Sequence, residues 1–365
     1  MSLSSFSFYI SWLPDPATAT MSLLLPFVLP LLASAAKVPS YVNTYAPLVH
    51  LFSAENYNPA SISAQLTNTT PKLHNATVQP SSPNLSDLST LNSIPNSSAG
   101  QDIYLSSRSP FTLGPEQAAY LKGVKPDASG KTENAISAVI VTVSHPNREL
   151  LDAYYFYFYA FDYGGSYPIV GNVGNHVGDW EHSMIRFNSS TGTPMSLWYS
   201  QHSGGEAFEY TAVQKSPDEP KRPLVYSANG THANYATPGT HDHTIPGLNL
   251  PAGPVEDHTD AGALWDPTLN AYYLCFVPSS SGNYSDDTGK FSAYGDEPTD
   301  WLYFAGHWGD DRLPENDPRQ NCDFGVDGLC QYQGGPTGPY FKDLNRDKVC
   351  PDSQEDCNVL PVLLP

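Results

Sequence analysis

Positive charge is scarce in this sequence of 365 residues, which has 17 Lys and Arg residues against 37 Asp and Glu residues and a formal net charge of -20. A charge of that sign repels the phosphates of nucleic acids and anionic membrane surfaces. No cluster of basic residues reverses the balance locally. We therefore expect no nucleic-acid partner.

Long apolar runs are also lacking beyond the N-terminal region, where no stretch reaches about 18 apolar residues, so no transmembrane span is expected in the mature chain. The N-terminal region is typical of a secretory signal peptide. An apolar stretch begins at Met21 and ends in Ala33-Ser34-Ala35, an A-x-A cleavage pattern. Residues 1–36 are assigned to this signal, and residues 1–20 are an upstream extension if Met21 is the working start.

The common catalytic signatures are absent as well. The sequence contains no G-x-S-x-G elbow, no H-E-x-x-H motif and no P-loop. No cysteine has the surroundings of a nucleophile. Any catalysis would have to use a metal ion and histidines, so a binding protein is expected rather than an enzyme.

Cysteines are few, and four of the five crowd the C-terminal end as Cys322, Cys330, Cys350 and Cys357, while Cys275 lies alone in an apolar run. In an exported chain, four clustered cysteines indicate two disulfides. Three connectivities are open, and the short loops favour local pairing of Cys322 with Cys330 and of Cys350 with Cys357. A zinc site is the weaker alternative because no C-x-x-C pair occurs.

Glycosylation sequons support the same compartment. Seven N-x-[ST] sequons occur, at Asn68, Asn75, Asn84, Asn96, Asn188, Asn229 and Asn283. Four of them lie between Asn68 and Asn96, which predicts a glycosylated surface segment. The chain is therefore expected in the secretory pathway, either in the vacuole lumen or outside the cell.

Short runs of β-branched and aromatic residues dominate after residue 130 and are separated by Gly and Pro. They predict strands at Ala135–Val143, Ala153–Phe161, His182–Phe187, Ser196–Ser200, Phe208–Val213, Pro223–Ser227, Ala271–Val277 and Trp301–Ala305. This pattern predicts a mainly all-β fold, a β-sandwich or jelly-roll-like body with long loops.

Two regions of the mature chain differ in composition. Residues 37–130 are polar and predict an N-terminal arm that packs on the body and includes a long glycosylated loop over Thr67–Gly100. Residues 131–365 form the predicted β-sandwich core, with a disulfide-stapled C-terminal end. The sequence leaves the oligomeric state open.

The densest group of chemically active residues is GNVGNHVGDWEHSMIR, residues 171–186. Asp179 and Glu181 are two apart, so in a strand they share a face, while Trp180 points to the opposite face. His176 precedes them beside glycines, and Asp162 ends the aromatic run upstream. Three carboxylates and one imidazole favour Ca²⁺, Mg²⁺ or Mn²⁺ over Zn²⁺. We predict a divalent metal site formed by these four residues.

Most of the other histidines lie among small residues and turn formers, and we expect them to be structural. His232 is the strongest exception because it follows a predicted strand at an Asn-Gly turn, where functional sites are often built. His202 is the second. Both are predicted to contact the ligand on the functional face, outside the core, and both are the candidates for a general acid or base.

Several ordered segments identify a family resemblance. The motifs YFYFYAFDYGG, HVGDWEH, SANGTHANY and GPTGPYFKD, with the N-terminal YAPLVHLFSAENYNPASI, resemble the fungal vacuolar protein sorting-associated protein 62 family. The resemblance covers roughly residues 40–345. It implies a connection with delivery of proteins to the vacuole and supplies no biochemical activity.

A second likeness is local. The sequence from His176 to Glu181 is similar to the G-H-R-H-D-W-E heptapeptide of secreted necrosis-inducing proteins, which are β-sandwiches that hold a divalent ion and recognise a sphingolipid sugar head group. His176, Asp179 and Glu181 match the ion ligands, and Asp162 is the counterpart of an upstream Asp. Asn175, Val177 and Gly178 depart from the motif. The resemblance therefore implies fold and metal, without that ligand specificity.

Three functions remain open from the sequence. The preferred one is a non-catalytic, metal-dependent β-sandwich that binds a glycan or glycolipid-like ligand. The first alternative is a metal-assisted hydrolase of a sugar ester or phosphodiester, with His202 or His232 as acid or base. The second is a sorting adaptor in which the metal is only structural.

The targeting signal and the sequons predict how the chain is processed. N-terminal sequencing of the purified protein is expected to begin near Ala36, and glycosidase treatment is expected to lower its apparent mass. Peptide mapping should find glycans within Asn68–Asn96 and none on Asn229. An intact Met1 on unglycosylated protein would overturn the compartment assignment.

Overall fold

The computed structural model describes residues 37–113, 116, 118–167, 171–242, 255–279, 288–322, 330–354 and 356–363. The predicted signal segment and the Asn283 sequon lie outside the described residues. Among the residues described, no helix is long and apolar enough to cross a membrane.

The described chain has two short α-helices, α1 (Ser40–Thr44) and α2 (Ile62–Asn68). It also has short 3-10 helices at Leu88–Ser93, Phe111–Leu113, Ala119–Lys122, Pro146–Arg148, Pro267–Asn270, Asp300–Tyr303 and Pro339–Phe341. Its strands are β1 (Leu48–His50), β2 (Thr69–Leu73), β3 (Ala76–Thr77), β4 (Ile103–Ser107), β5 (Ala138–His145), β6 (Leu150–Asp162), β7 (Ser166–Tyr167), β8 (Gly171–Asn172), β9 (His176–Asn188), β10 (Thr193–Gln201), β11 (Gly204–Glu209), β12 (Leu224–Ser227), β13 (Asn234–Tyr235), β14 (Gly239–Asp242), β15 (Glu256–Thr259), β16 (Leu264–Trp265), β17 (Ala271–Pro278), β18 (Gly289–Ala293) and β19 (Val359–Leu360).

Strand β6 is the centre of the molecule. All 13 of its residues are buried, because its sequence LLDAYYFYFYAFD places large apolar side chains on both faces. It pairs antiparallel with β5 on one side and with β9 on the other. A strand without a solvent face requires a covering layer on each side, which explains its continuous aromatic sequence.

Two sheets form the body. The larger has eight strands in the order β18-β17-β5-β6-β9-β10-β11-β19, and the smaller has four in the order β13-β12-β1-β16. Neighbouring strands of the larger sheet are antiparallel except for the parallel pairs β17 with β5 and β11 with β19. The mainly all-β prediction is confirmed.

The alternating residues of β6 divide the core into two layers. Tyr155, Tyr157 and Tyr159 pack with Val225 and Trp265 of the smaller sheet. The residues between them on β6 face a second layer, which includes Trp180, Trp198, Trp301 and Trp308 together with apolar residues of the N-terminal segments. The smaller sheet therefore makes a sandwich with one face of the larger sheet, and α2, β4, loops and 3-10 turns cover the other face.

The N-terminal region contributes more than an arm. Strand β1 is inserted between β12 and β16 of the smaller sheet, parallel to β12. The expectation of one long loop over Thr67–Gly100 is wrong for part of that segment, because Thr69–Leu73 pairs with both β3 and β4. The sequons Asn75, Asn84 and Asn96 are exposed on this part of the surface.

Two further sequence predictions have clear outcomes. The predicted disulfides Cys322–Cys330 and Cys350–Cys357 are confirmed. The predicted strand at Trp301–Ala305 is wrong, because Asp300–Tyr303 forms a 3-10 turn that buries Trp301 against the sheet. An apolar run this short satisfies a strand or a buried turn equally well.

A buried ion pair crosses the larger sheet between β6 and β9. Both oxygens of Asp152 accept hydrogen bonds from Arg186, at 2.8 Å from Nε and 2.7 Å from Nη2, and His145 lies 3.0 Å away. Burial raises the pKa of Asp152, but the Arg186 guanidinium lowers it by more, so the net shift is downward. Arg186 also donates to backbone carbonyls of Arg346 and Asp347 and so fastens the C-terminal segment to the sheet.

Removing this carboxylate should be costly. Asp152→Ala leaves the Arg186 charge buried without its partner, and we expect the free energy of unfolding to fall by about 3–5 kcal/mol. Denaturant titration followed by tryptophan fluorescence measures the change. Asp317→Ala, which breaks the pair of Asp317 with the exposed Arg319 at the surface, is the matched control and should change the free energy of unfolding by at most about 1 kcal/mol. Equal midpoints for the two variants would contradict the structural role of the buried pair.

Candidate metal centre

The predicted metal ligands lie at one end of the larger sheet. Strand β6 ends at Asp162, where β9 begins with His176, and these two residues are Cα partners. Asp179 is paired with Tyr159 further along the same two strands. Antiparallel pairing therefore places residues at one corner of the molecule although they are up to 17 positions apart in the sequence.

Gly178 allows the backbone to turn between His176 and Asp179, so that both side chains can point into this corner. In a regular strand His176 and Asp179, three residues apart, would face opposite sides. Gly178 has φ +69°, and a Cβ at this position would lie 2.2 Å from the carbonyl oxygen of Trp308. Only glycine accepts both the left-handed conformation and the close approach.

Asp162, His176 and Asp179 each direct one ligand atom into the corner, and these three atoms all lie within 4.8 Å of one another. Asp162 is 8% exposed and Asp179 5% exposed, and His176 is half-buried. Their donor set is two carboxylate oxygens and one imidazole nitrogen. Three converging, largely buried donors of this type are suited to a divalent cation.

The imidazole of His176 is oriented for such a role. Its Nδ1 lies 2.7 Å from the Gly178 carbonyl oxygen, which can only accept, so Nδ1 carries the proton. Nε2 then carries the lone pair and lies 3.5 Å from Asp162 Oδ2. Burial lowers the pKa of His176, which favours the neutral ring. A backbone carbonyl that fixes the tautomer in this way is typical of metal-binding histidines.

The structure places Glu181 beside this triad rather than in it. One of its oxygens, Oε2, accepts hydrogen bonds from Ser200 Oγ and, at 3.4 Å, from Asn234 Nδ2. Burial and the neighbouring Asp179 raise the pKa of Glu181 to about 8. Its assignment as a direct ligand stays a prediction.

The carboxylates around the corner crowd one another. Burial raises the pKa of Asp162 well above its usual value, and Asp179, Glu181, Asp257 and Glu55 raise it further. Buried like charges require a compensating charge. A divalent cation between Asp162 and Asp179 would supply it.

His232 holds one carboxylate of the triad in place from the protein interior. Its Nδ1 lies 3.0 Å from Asp179 Oδ2 and its Nε2 2.9 Å from the carbonyl oxygen of Tyr57. The ring stacks on Tyr159 with centroids 3.7 Å apart. Burial lowers the pKa of His232, but the hydrogen bond with Asp179 and the charge of Glu55 outweigh it, so the pKa is raised.

The position of His232 corrects one expectation. The residue is close to Asp179, as predicted, but it is 0% exposed, so the expectation that it lies outside the core is wrong. Its φ of +56° turns the chain inward after Asn229-Gly230-Thr231. A tight turn can direct a side chain into the body as readily as toward solvent, and the sequence does not distinguish the two.

His202 lies at the rim of the same end of the sheet. Its Nε2 is 2.7 Å from Asp257 Oδ2, and Asp257 also accepts hydrogen bonds from Thr231 and Tyr235 at 2.7 Å each. The His202 side chain is 31% exposed. Burial lowers its pKa, and the Asp257 carboxylate raises it by more, so that the net shift is upward. Together with Glu181 it borders a cavity of about 240 Å³.

Sequence reasoning missed several residues that complete this centre. Asn234 is 0% exposed and binds Glu181, and its side-chain oxygen Oδ1 is buried without a hydrogen-bond partner in the described structure. Glu55 accepts a hydrogen bond from the backbone nitrogen of Gly230 at 2.8 Å. Asn234 lies only two residues after His232, but the left-handed backbone of His232 breaks the strand alternation that would relate their side chains, and Glu55 is far away in the sequence, so neither residue gave a usable signal.

Comparison with known proteins identifies relatives. A family model described as vacuolar protein sorting-associated protein 62 matches residues 167–274. The Saccharomyces cerevisiae protein named "Putative vacuolar protein sorting-associated protein TDA6" is 36% identical over 347 residues, 87% of this chain and 70% of that protein. "Vacuolar protein sorting-associated protein 62" of the same yeast is 36% identical over 343 residues, 87% of this chain and 69% of that protein.

Solved structures give weaker likenesses. "NLPPya in complex with glucosamine" aligns with a TM-score of 0.30 and 11% identity over 56% of this chain and 69% of that one. "Crystal structure of non-toxic HaNLP3 protein" aligns with a TM-score of 0.27 and 12% identity, over 65% and 76%. Likenesses at this level assign neither a ligand nor an activity to this chain.

The two hydrogen bonds of His232 predict the effect of its removal. His232→Ala should lower the free energy of unfolding by about 1–3 kcal/mol, because the Tyr57 carbonyl and Asp179 lose a buried partner. The affinity for a divalent cation should also fall, because Asp179 is no longer held. Thermal melting and calorimetric metal titration measure both. His258→Ala removes an exposed histidine and should change neither quantity. If His232→Ala lowers stability without lowering metal affinity, His232 has a structural role only.

Proposed function

This chain belongs to the vacuolar protein sorting-associated protein 62 family, and we propose that it acts in the secretory and vacuolar pathway as a divalent-cation-dependent protein that binds a glycan or glycolipid-like ligand. The observation that carries the proposal is the convergence of Asp162, His176 and Asp179, whose ligand atoms lie within 4.8 Å of one another.

The residues fit a divalent cation for reasons beyond their spacing. His176 is already oriented with its lone pair toward Asp162, and His232 holds one oxygen of Asp179. Glu181 follows Asp179 on the same strand, and Asn234, whose buried Oδ1 has no hydrogen-bond partner among the described residues, binds Glu181. Both add oxygen atoms beside the triad. A donor set with mostly oxygen atoms favours Ca²⁺, Mg²⁺ or Mn²⁺.

The proposed ligand class follows from coordination number. Three protein donors are fewer than the six to eight that Ca²⁺ takes or the six of Mg²⁺, so positions remain for water or for an incoming oxygen. Sugar hydroxyls are neutral oxygen donors of this kind. The cavity bordered by Glu181 and His202 gives such a ligand a polar recess beside the ion site.

The localisation proposal rests on two independent features. The relatives are named for vacuolar protein sorting, and the chain carries two disulfides, which form and persist in oxidising compartments. Exposed sequons at Asn75, Asn84 and Asn96 are compatible with passage through the secretory pathway. We infer an extracellular or vacuole-lumenal protein.

A metal-assisted hydrolase is the second candidate, and one observation favours it. The hydrogen bond of 2.7 Å between His202 and the buried Asp257 orients an imidazole at the cavity, in the arrangement of a general base. With a metal-activated water in reach, such a base would support hydrolysis. We rank it second because the chain has no catalytic motif.

Metal binding is tested by neutralising one ligand. Wild-type protein should bind Ca²⁺, Mg²⁺ or Mn²⁺ stoichiometrically by calorimetry and gain about 2.7 kcal/mol of stability at a hundredfold excess over Kd. Asp162→Asn and Asp179→Asn should abolish both effects. In EDTA, Asp162→Asn should be at least as stable as wild type, because repulsion between buried carboxylates is relieved.

Asp260→Asn is the matched control, since Asp260 binds Ser53 away from the triad and should behave as wild type. If wild-type melting is the same in EDTA and in metal, the site proposal fails. No product should be released from nitrophenyl sugar esters or phosphodiesters. Turnover that disappears both in EDTA and in His202→Ala would instead support the hydrolase.

A further inference from the structure

The cavity beside the metal centre has two walls from distant parts of the chain. One wall is the β10–β11 turn with His202 and Ser203, and the other is the segment that contains Phe341 and Lys342. Glu181 lies between them and connects the cavity to the triad. Its volume of about 240 Å³ is below the range for drug-sized ligands, so it suits one small ring rather than an extended molecule.

The side chains that line this cavity combine features that recognise carbohydrate. Phe341 is 41% exposed, although large aromatic residues are usually covered, and it presents a flat apolar surface at the rim. Ser203 supplies a hydroxyl group, and Glu181 and Lys342 supply an acceptor and a donor. A hexopyranose ring has an apolar face for the aromatic ring and hydroxyls for the polar groups.

The charge of the cavity argues for a neutral ring. Glu181 and Asp343 bring two carboxyl groups, and Lys342 and His202 bring two basic groups, so groups of both kinds line the cavity. Because acidic and basic groups occur together, the cavity does not favour a strongly charged ligand over a neutral one.

A buried arginine holds the second wall in place. Arg346 is 0% exposed, and its guanidinium donates to the backbone carbonyls of Lys342 at 2.8 Å, Asp343 at 2.9 Å and Val349 at 3.1 Å. It also lies over the ring of Tyr154, 5.0 Å from the centroid. These contacts fix the backbone that carries Phe341 and Lys342, so little ordering remains to oppose binding.

We propose that this cavity is a subsite for one neutral hexopyranose ring, with Phe341 stacking on its apolar face and Lys342 binding its hydroxyls. The inference rests on the proposed metal-dependent binding function and specifies where, beyond the ion, the ligand is recognised. A sugar that reaches both the ion and this subsite would be bound through oxygen ligation and through stacking together.

The test uses the purified, folded protein and methyl glycosides of glucose, mannose and galactose as probes. Sugar affinity is measured by calorimetry and tryptophan fluorescence, to which Trp198 at the cavity contributes, in saturating metal and in EDTA. We expect at least one glycoside to bind, and Phe341→Ala and Lys342→Met each to weaken it about tenfold. Metal affinity should not change in Phe341→Ala, whose side chain is uncharged and exposed. Met195→Ala, 48% exposed on β10, is the matched control.

The outcomes separate this inference from the proposed function. The subsite is overturned if the protein binds metal but no glycoside. It is also overturned if glycosides bind and neither variant changes their affinity. If a glycoside binds in EDTA and Phe341→Ala weakens that binding, the subsite proposal is supported, even if no metal binds and the metal proposal fails. Thermal melting of both variants identifies any loss of fold, and because Phe341 is exposed, its removal should leave melting unchanged.

Discussion

The repulsion between buried carboxylates at one corner of the larger sheet is the constraint on which the rest of this site depends. Asp162 and Asp179 are almost fully covered, and the imidazole of His232 lies 3.0 Å from Asp179. Folding alone would not favour this arrangement, because buried charges are costly unless they are compensated. The stacked ring of Tyr159 and the inward turn at Gly178 are specific arrangements that maintain it.

Strand β6 gives that corner a rigid support. Because both of its faces are buried, it is packed between the smaller sheet on one side and the tryptophan-rich layer on the other. The Asp152–Arg186 pair fixes the far end of the same strand and fastens the C-terminal segment to it. Ligand groups on such an element keep their geometry, which is what a cation site requires.

The C-terminal segment then connects fold and recognition. Arg186 and Arg346 hold its backbone against the sheet, and the Cys350–Cys357 disulfide closes the loop that follows. As a result Phe341 and Lys342 are presented beside Glu181 at the cavity. The proposed ion site and the proposed sugar subsite are therefore adjacent parts of one sheet end. The first is built from strands and the second from a fastened loop.

The sequence by itself determined what depends on local order: the aromatic β6, the strand with Asp179 and Glu181 on one face, and the pairing of cysteines seven and eight residues apart. Alternation and short loop closure are properties of neighbouring residues, so they can be predicted without coordinates. Only the tertiary structure decided that Trp301 lies in a 3-10 turn, that His232 is buried, and that Glu55, Asn234, Asp257 and Lys342 gather around the triad. These residues come from separate segments, and their meeting depends on how two sheets and a fastened loop pack together, which no local pattern encodes.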